Sequence, residues 1–228
     1  MEQIKKIDIH AHCAPWPEYE PAYKGIGKKK LSPAELFEEY YDRLNIEKGI
    51  LLPGVSPEAS ISPLPSNICK YLADKYPERL LWFCNVDPRA LSNTRDADLG
   101  YLLEHYKSLG AKGVGELTCN MYAYDPMLDN LFGFCAELDL PVLIHSGFDP
   151  LSPDLIHCMP DAAARAFDKV PDITMILAHG GAMNEWDDVE KYLVGKKGNI
   201  YHMIKNQTMA KRNTLLKRFL QEENYLMA

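Results

Sequence analysis

The sequence lacks the segments that place a protein in or across a membrane. Its 228 residues contain no run of about 18 apolar residues, whereas a helix that crosses the core of a bilayer needs about 20. The opening segment, MEQIKKIDIH, has no apolar stretch like that of a secretory signal. The sequence therefore predicts a cytoplasmic protein with no membrane partner.

Paired cysteines and long basic runs are also missing. The six cysteines are scattered and form no CxxC pair; they are Cys13, Cys69, Cys84, Cys119, Cys135 and Cys158. We interpret them as reduced cytoplasmic thiols. The only basic run, Lys28–Lys30, is three residues long, and the net charge is −7. This charge argues against a nucleic-acid partner.

Strand and helix patterns alternate along the whole sequence. Short apolar runs predict seven strands, near residues 5–9, 48–52, 80–86, 112–116, 141–145, 173–178 and 199–203. Helical patterns predict helices near residues 33–45, 64–76, 96–109, 126–138, 159–169, 183–194 and 209–222. The first helix has a clear start signal, because Ser32 can cap it, Pro33 suits its first turn and Glu35 completes an S-x-x-E capping box.

This alternation predicts parallel strands joined by right-handed crossovers. Seven or eight such units favour a closed barrel over an open doubly wound sheet. No GxGxxG motif of a dinucleotide-binding fold follows the first strand. We therefore expect a single α/β domain over residues 1–228, with the fold of a TIM-like (β/α) barrel.

Histidines stand where three of the predicted strands end. His10 and His12 close the first strand, and residues two apart on a strand point to the same face. His145 ends PVLIH and His179 ends MILAH, each followed by small residues. Barrel enzymes build their sites at the carboxyl ends of the strands, so we expect these imidazoles to converge. Neutral imidazoles bind divalent cations; an isolated H-x-H pair would otherwise be two polar residues at a strand end.

With these motifs the sequence resembles the amidohydrolase superfamily. IDIHAH, PVLIHSG and MILAHGG are similar to its first, fifth and sixth strands. LLWFCNVDP is similar to the third strand of the branch that contains the amidohydrolase-2 hydrolases and aminocarboxymuconate-semialdehyde decarboxylase. The similarity runs from about residue 4 to residue 203. It implies that His10, His12 and His145 bind a divalent metal, usually zinc, and that His179 acts as acid–base or binds a further metal.

Glu116 ends the fourth predicted strand, in GVGELT. A carboxylate at this position bridges two metals in some members of the superfamily, so the resemblance implies a metal ligand. Two other interpretations stay open. The carboxylate either orients a ligand histidine through a hydrogen bond or faces solvent at the strand end.

The sequence departs from the family at the eighth strand. Members carry an aspartate there, which contacts the metal and takes the proton of the attacking water. Here the last predicted helix is followed by NYLMA, which resembles the opening of an eighth strand, without that aspartate. We expect an eighth strand that is incomplete or missing, a barrel open at that edge, weakened metal binding and low activity.

Three functions fit these residues. The favoured one is a metal-dependent hydrolase that cleaves a small ester, amide or lactone with a metal-activated water. The second is a non-oxidative decarboxylase of an aromatic or unsaturated carboxylic acid, in which His179 delivers a proton to carbon. The third is an inactive metal-binding relative. In each case we expect a small-molecule substrate, with a homo-oligomer left open.

The remaining histidines and one loop carry weaker expectations. His105 is expected on the surface of a helix, and His157, after the fifth strand, is a candidate for substrate contact. The sequence does not fix which way His202 faces. The long loop from Cys13 to Leu31 either covers the site or packs as an ordinary surface loop. Its aromatic residues are Trp16, Tyr19 and Tyr23.

Overall fold

The strands of the structure follow one another in chain order. The computed structural model describes residues 5–15, 31–57, 64–147, 156–181, 185–196, 200–204 and 225–227. Within these ranges the strands are β1 (Lys6–Ala11), β2 (Ile46–Leu51), β3 (Leu80–Trp82), β4 (Val114–Leu117), β5 (Val142–Ile144), β6 (Met175–Leu177), β7 (Ile200–Ile204) and β8 (Tyr225–Met227). All seven strands predicted from the apolar runs are present, with bounds that differ by a few residues.

Every pairing among these eight described strands is parallel. Strands β1 to β3 form one sheet and β4 to β8 form another. The two sheets meet where Cys84, just after β3, pairs with Val114 at the start of β4. There the Cys84 N–H donates to the carbonyl of Gly113 over 2.9 Å, and the Gly115 N–H donates to the carbonyl of Cys84 over 2.8 Å. The strands therefore form one parallel series, the arrangement of a (β/α) barrel.

Strand β8 comes from the segment NYLMA. Tyr225 pairs with His202 and Met227 pairs with Ile204, both in parallel. The strand predicted from NYLMA is thus present, and it is three residues long. In the described part of the chain no pairing joins β8 to β1.

Helices connect the strands as the alternating pattern predicts. They are α1 (Pro33–Leu36), α2 (Asp42–Leu44), α3 (Ser66–Lys75), α4 (Leu99–Ser108), α5 (Pro126–Glu137), α6 (Pro160–Lys169) and α7 (Trp186–Tyr192). The predicted capping box is confirmed, because the Glu35 carboxylate accepts from both the backbone N–H and the hydroxyl of Ser32, over 2.8 and 2.7 Å. The predicted helix 209–222 lies outside the described residues. None of the described helices is long and apolar enough to cross a membrane.

The first predicted helix is divided by a π-helical turn, Phe37–Tyr41, which lies between α1 and α2. Tyr41 ends this turn, and its buried hydroxyl donates to the carboxylate of Asp8 over 3.0 Å. Gly49 makes room for it, since a Cβ at that position would lie 2.0 Å from the Tyr41 oxygen. Burial, with the adjacent Asp8 carboxylate, raises the pKa of the hydroxyl. The turn thus ties α1 and α2 to β1.

Two apolar clusters fill the structure. The larger one packs the helices against the strands and includes Leu103, Leu131, Phe132, Cys135 and Phe167. The smaller one consists of residues from the strands and their carboxyl-terminal extensions: Ile9, Leu52, Phe83, Leu143, Ile176 and Ala178. Because it draws on five different strands, we assign it to the barrel interior, which is packed with side chains in this fold. The interior cluster supports the strand ends that carry the polar site.

Candidate metal centre

Five polar side chains meet at the carboxyl ends of β1, β4, β5 and β6. His10 lies in β1 and His12 just after it, while Glu116 lies in β4. His145 follows β5, and His179 lies in the short helical turn Ala178–Gly181 after β6. The structure therefore brings together all the residues that the sequence singled out for the site.

His10 and His12 face one oxygen of Glu116. Their Nε2 atoms lie 3.0 Å apart, and they lie 3.1 Å (His10) and 3.2 Å (His12) from Oε2 of Glu116. His12 Nδ1 is 3.2 Å from the carbonyl of Leu52. A carbonyl only accepts hydrogen bonds, so Nδ1 carries a proton, and in a neutral His12 ring the lone pair of Nε2 would be available to a cation.

The histidines of β5 and β6 face the other oxygen of Glu116. His145 Nδ1 lies 3.1 Å from Oε1, and His179 Nε2 lies 4.0 Å from it. The rings of His145 and His179 have centroids 4.8 Å apart. The carboxylate therefore divides the site into two trios that share Glu116: a first trio with His10 and His12, and a second trio with His145 and His179.

Glu116 is a buried anion. It is 7% exposed, so the interpretation of Glu116 as a solvent-facing strand-end residue is wrong. Burial raises the pKa of its carboxyl group, but the charge of His10 and hydrogen bonds with His10, His12 and His145 outweigh that effect and hold the pKa well below its ordinary value. A buried carboxylate among four imidazoles is a donor set suited to a divalent cation.

A comparison of the sequence with protein-family models identifies its relatives. The model described as Amidohydrolase matches residues 7–201. This chain belongs to the amidohydrolase family. The resemblance of IDIHAH, PVLIHSG and MILAHGG to that family is thereby confirmed. No curated protein matches the sequence significantly.

Solved structures of amidohydrolase-family barrels share the fold at low sequence identity. The 2,6-dihydroxybenzoate decarboxylase from Rhizobium has a TM-score of 0.65 and 16% identity, over 99% of this chain and 87% of that one. The 5-carboxyvanillate decarboxylase from Novosphingobium aromaticivorans, complexed with manganese and a nitrobenzoic acid, has a TM-score of 0.64 and 16% identity, over 98% and 85%. A probable 2-pyrone-4,6-dicarboxylic acid hydrolase from Acinetobacter baumannii has a TM-score of 0.64 and 14% identity, over 99% and 83%. These matches establish the TIM-barrel fold.

The atoms of this amidohydrolase site fit a metal ion. Nitrogen and oxygen ligands about 2.0–2.1 Å from zinc, in a tetrahedron, lie about 3.3 Å from one another. The three contacts of the first trio, at 3.0, 3.1 and 3.2 Å, are close to that spacing. The atoms of each trio lie within 4.8 Å of one another. The sequence predicted His10, His12 and His145 as one ligand set, whereas the structure divides them between the trios.

Backbone geometry fixes Glu116 and His179. Gly115 precedes Glu116 at φ 135°, and a Cβ there would lie 2.2 Å from the carbonyl of Leu143. His179 adopts a left-handed conformation, with φ 55° and ψ 25°, followed by Gly180 at φ 74°. Residues other than glycine rarely adopt such a backbone conformation, and those that do are often at functional sites.

Asn85 is a polar residue of the site that the sequence reasoning missed. It is buried, and its amide donates to the carbonyls of Pro53 and Glu116 over 2.9 and 2.7 Å. Pro53 follows Leu52, whose carbonyl faces His12. Asn85 therefore joins the two backbone segments that position His12 and Glu116. Its only signal in the sequence is a polar residue at the carboxyl end of LLWFC.

The other predicted residues fall into three groups. His105 is exposed on α4, as expected. The side chain of His202 and the loop aromatics lie outside the described residues. The six cysteines are free and buried, and burial raises the pKa of Cys84, Cys119 and Cys158 to about 12. Those three thiols are therefore protonated near neutral pH and are poor nucleophiles.

Proposed function

We propose that this member of the amidohydrolase family is a metal-dependent hydrolase that cleaves a small ester, amide or lactone by attack of water. The observation that carries the proposal is the shared carboxylate. Glu116 presents Oε2 to His10 and His12 and Oε1 to His145 and His179, over 3.1 to 4.0 Å. Two donor groups on one carboxylate are typical of sites that hold two ions about 3.5–4 Å apart in hydrolytic enzymes.

The first trio, His10, His12 and Glu116, would hold the first divalent ion. His145, His179 and Oε1 of Glu116 would hold a second, more weakly, because His179 lies farther from the carboxylate. A bound ion supplies Lewis acidity toward a carbonyl oxygen and lowers the pKa of a coordinated water toward neutrality. We propose zinc, because imidazole and carboxylate donors at this spacing suit it; manganese, present in the Novosphingobium relative, is the competing ion.

Glu116 and His179 then have separate roles. The Glu116 carboxylate contacts both pairs of histidines and fixes their positions relative to each other. His179 Nε2 lies farther from Glu116 than the contacting nitrogens of the other three histidines do, at 4.0 Å from Oε1. In the form with one ion, we propose that His179 Nε2 accepts a proton from the attacking water and returns it to the leaving oxygen or nitrogen.

Decarboxylation of an aromatic acid is the competing reaction, because two of the structural relatives are decarboxylases of such acids. One feature favours the hydrolase. Glu116 lies between two pairs of histidines, an arrangement that suits the two ions of hydrolytic sites.

Turnover by the metal-loaded chain tests the proposal. The purified protein, loaded with zinc or manganese, is assayed against esters, amides and lactones, and in parallel for carbon dioxide release from hydroxybenzoic acids. Hydrolysis that disappears on chelation and returns with metal is the expected result. Carbon dioxide release without hydrolysis would replace the proposal with a decarboxylase, and bound metal with neither reaction would identify an inactive relative. The cytoplasmic location suggested by the unpaired cysteines stays a prediction.

A further inference from the structure

A small pocket with four polar lining residues lies beside the second trio. It is formed by the segment that follows β4, by the end of β5 and by the short helical turn Ile156–Cys158. Its polar lining residues are Thr118, Asn120, His145 and His157. The volume that the centre of a water-sized group can occupy within it is about 20 Å³. A cavity needs about 10–15 Å³ by this measure to hold one water, so the pocket has room for one hydroxyl group or the end of an amide.

Unpartnered polar atoms are concentrated among the residues that line this pocket. Nine buried side-chain atoms have no hydrogen-bond partner in the described part of the chain, and four of them belong to its lining residues. They are Thr118 Oγ1, Asn120 Oδ1, His145 Nε2 and His157 Nδ1. A buried polar atom left without a partner costs about 1–3 kcal/mol. Four such atoms on the residues that line one cavity are therefore better explained by a group that binds there than by chance.

The pocket is held in shape by its surroundings. The ring of His157 packs edge-on against Tyr122, with centroids 4.7 Å apart. The carbonyl of His157 accepts from the N–H of Ala123 over 3.1 Å, and that of Cys158 accepts from Gly147 over 3.1 Å. These contacts join the turn to the segments that follow β4 and β5, so the polar groups of the pocket are positioned before a ligand arrives.

The donors and acceptors of the lining indicate which kind of group fits the pocket. Thr118 both donates and accepts, the Asn120 oxygen accepts, and an imidazole nitrogen does either according to its tautomer. The described residues of the lining include no lysine or arginine. A carboxylate, which only accepts, would face the Asn120 oxygen without a balancing charge. A group that both donates and accepts, such as a hydroxyl or a carboxamide, matches the set.

We propose that this pocket binds a neutral hydroxyl or carboxamide of the substrate and so determines specificity for polar, uncharged esters, amides or lactones. The inference rests on the proposed hydrolase function, because it places that group next to His145 at the reacting centre. Thr118, Asn120 and His157 are then the residues that contact the group.

Paired substrates give the kinetic test. Methyl esters and lactones are compared with analogues that carry one added hydroxyl or carboxamide at successive positions. A site built to hydrogen-bond a substrate group discriminates strongly against the analogue that lacks it, so kcat/KM is expected to favour one polar analogue by about 10²-fold or more. Thr118→Val should reduce that ratio about tenfold, mainly through KM. The exposed Thr94→Val is the matched control and should leave the ratio unchanged. A Thr118→Val ratio equal to that of the wild type would overturn the proposal.

A binding test separates failure of the pocket from failure of the hydrolase. The metal-free full chain, with nitrogen-15 in its histidines, is titrated with acetamide or acetate while the His157 side-chain resonances are followed by NMR. Acetamide is expected to shift them, acetate to shift them much less, and Thr118→Val to weaken the acetamide response. Absence of hydrolysis alongside this pattern would reject the hydrolase and keep the pocket. Equal responses to both probes, or no response to either, would reject the pocket.

Discussion

The barrel interior and the metal centre are built from neighbouring positions of the same strands, yet their chemistry is opposite. Ile9 of β1 and Leu143 of β5 are buried in the interior apolar cluster. His10 follows Ile9 directly, and His145 lies two residues beyond Leu143, both in the polar site. The interior is stabilised by packing, whereas the site collects a buried anion and four imidazoles. Substitutions on either side of this boundary should therefore affect different properties.

Truncation of the interior should affect stability most. Leu143 is fully buried among strand residues. Leu143→Ala is expected to lower the free energy of unfolding by about 2–5 kcal/mol through lost burial and the cavity left behind. Denaturant unfolding of the metal-free protein measures the change. A loss below about 1 kcal/mol would show that Leu143 is not part of a tightly packed interior.

The free energy of unfolding should also be sensitive to substitution of Gly115, which lies at this boundary. A methyl group there would meet the carbonyl of Leu143 at 2.2 Å, at a φ of 135° that other residues rarely adopt. Gly115→Ala is expected to lower the free energy of unfolding by about 3 kcal/mol. Gly133→Ala in α5 is the matched control, since nothing lies within 4 Å of its added Cβ; helix propensity should make it stabilising by about 0.5–1 kcal/mol. Similar losses at both positions would contradict the close approach.

On the polar side of the boundary, His179 should matter for chemistry and little for folding. His179→Ala is expected to lower kcat/KM by about 10²-fold or more, as loss of a general acid–base does, with a free energy of unfolding close to that of the wild type. Steady-state kinetics and denaturant unfolding measure the two effects. Unimpaired turnover would exclude His179 from the mechanism.

Asn85 should show a smaller, mixed effect, because it positions two segments without contacting a reacting atom. Asn85→Ala removes the bonds to the carbonyls of Pro53 and Glu116. We expect a loss of about 1–3 kcal/mol in stability and a drop of about 10-fold in metal affinity. The exposed Asn67→Ala in α3 serves as the control. A stability loss with unchanged metal affinity would reduce Asn85 to a purely structural role.

The same boundary separates what the sequence predicts from what it does not. The convergence of His10, His12, His145 and His179 is predictable, because strand ends can be read from local patterns and parallel strands of a barrel end on one face. The division of the histidines between the two oxygens of Glu116 is not predictable, because it depends on how far each of four strands extends along the barrel axis. Asn85 contacts Pro53, which is 32 positions away in the sequence, and Glu116, which is 31 positions away. The π-helical turn depends on the fit of Tyr41 against Asp8 and Gly49. Such tertiary contacts leave no periodic signal.

Zinc titration of the metal-free chain tests the central claim most directly, because that claim is that one buried carboxylate organises two metal-binding trios. Isothermal calorimetry should show two equivalents of zinc per wild-type chain, the second weaker than the first. Glu116→Gln keeps the size of the side chain and removes its charge, and it should weaken zinc binding by about 100-fold or more and abolish the second equivalent. Two equivalents bound by Glu116→Gln with wild-type affinity would contradict the shared-carboxylate account.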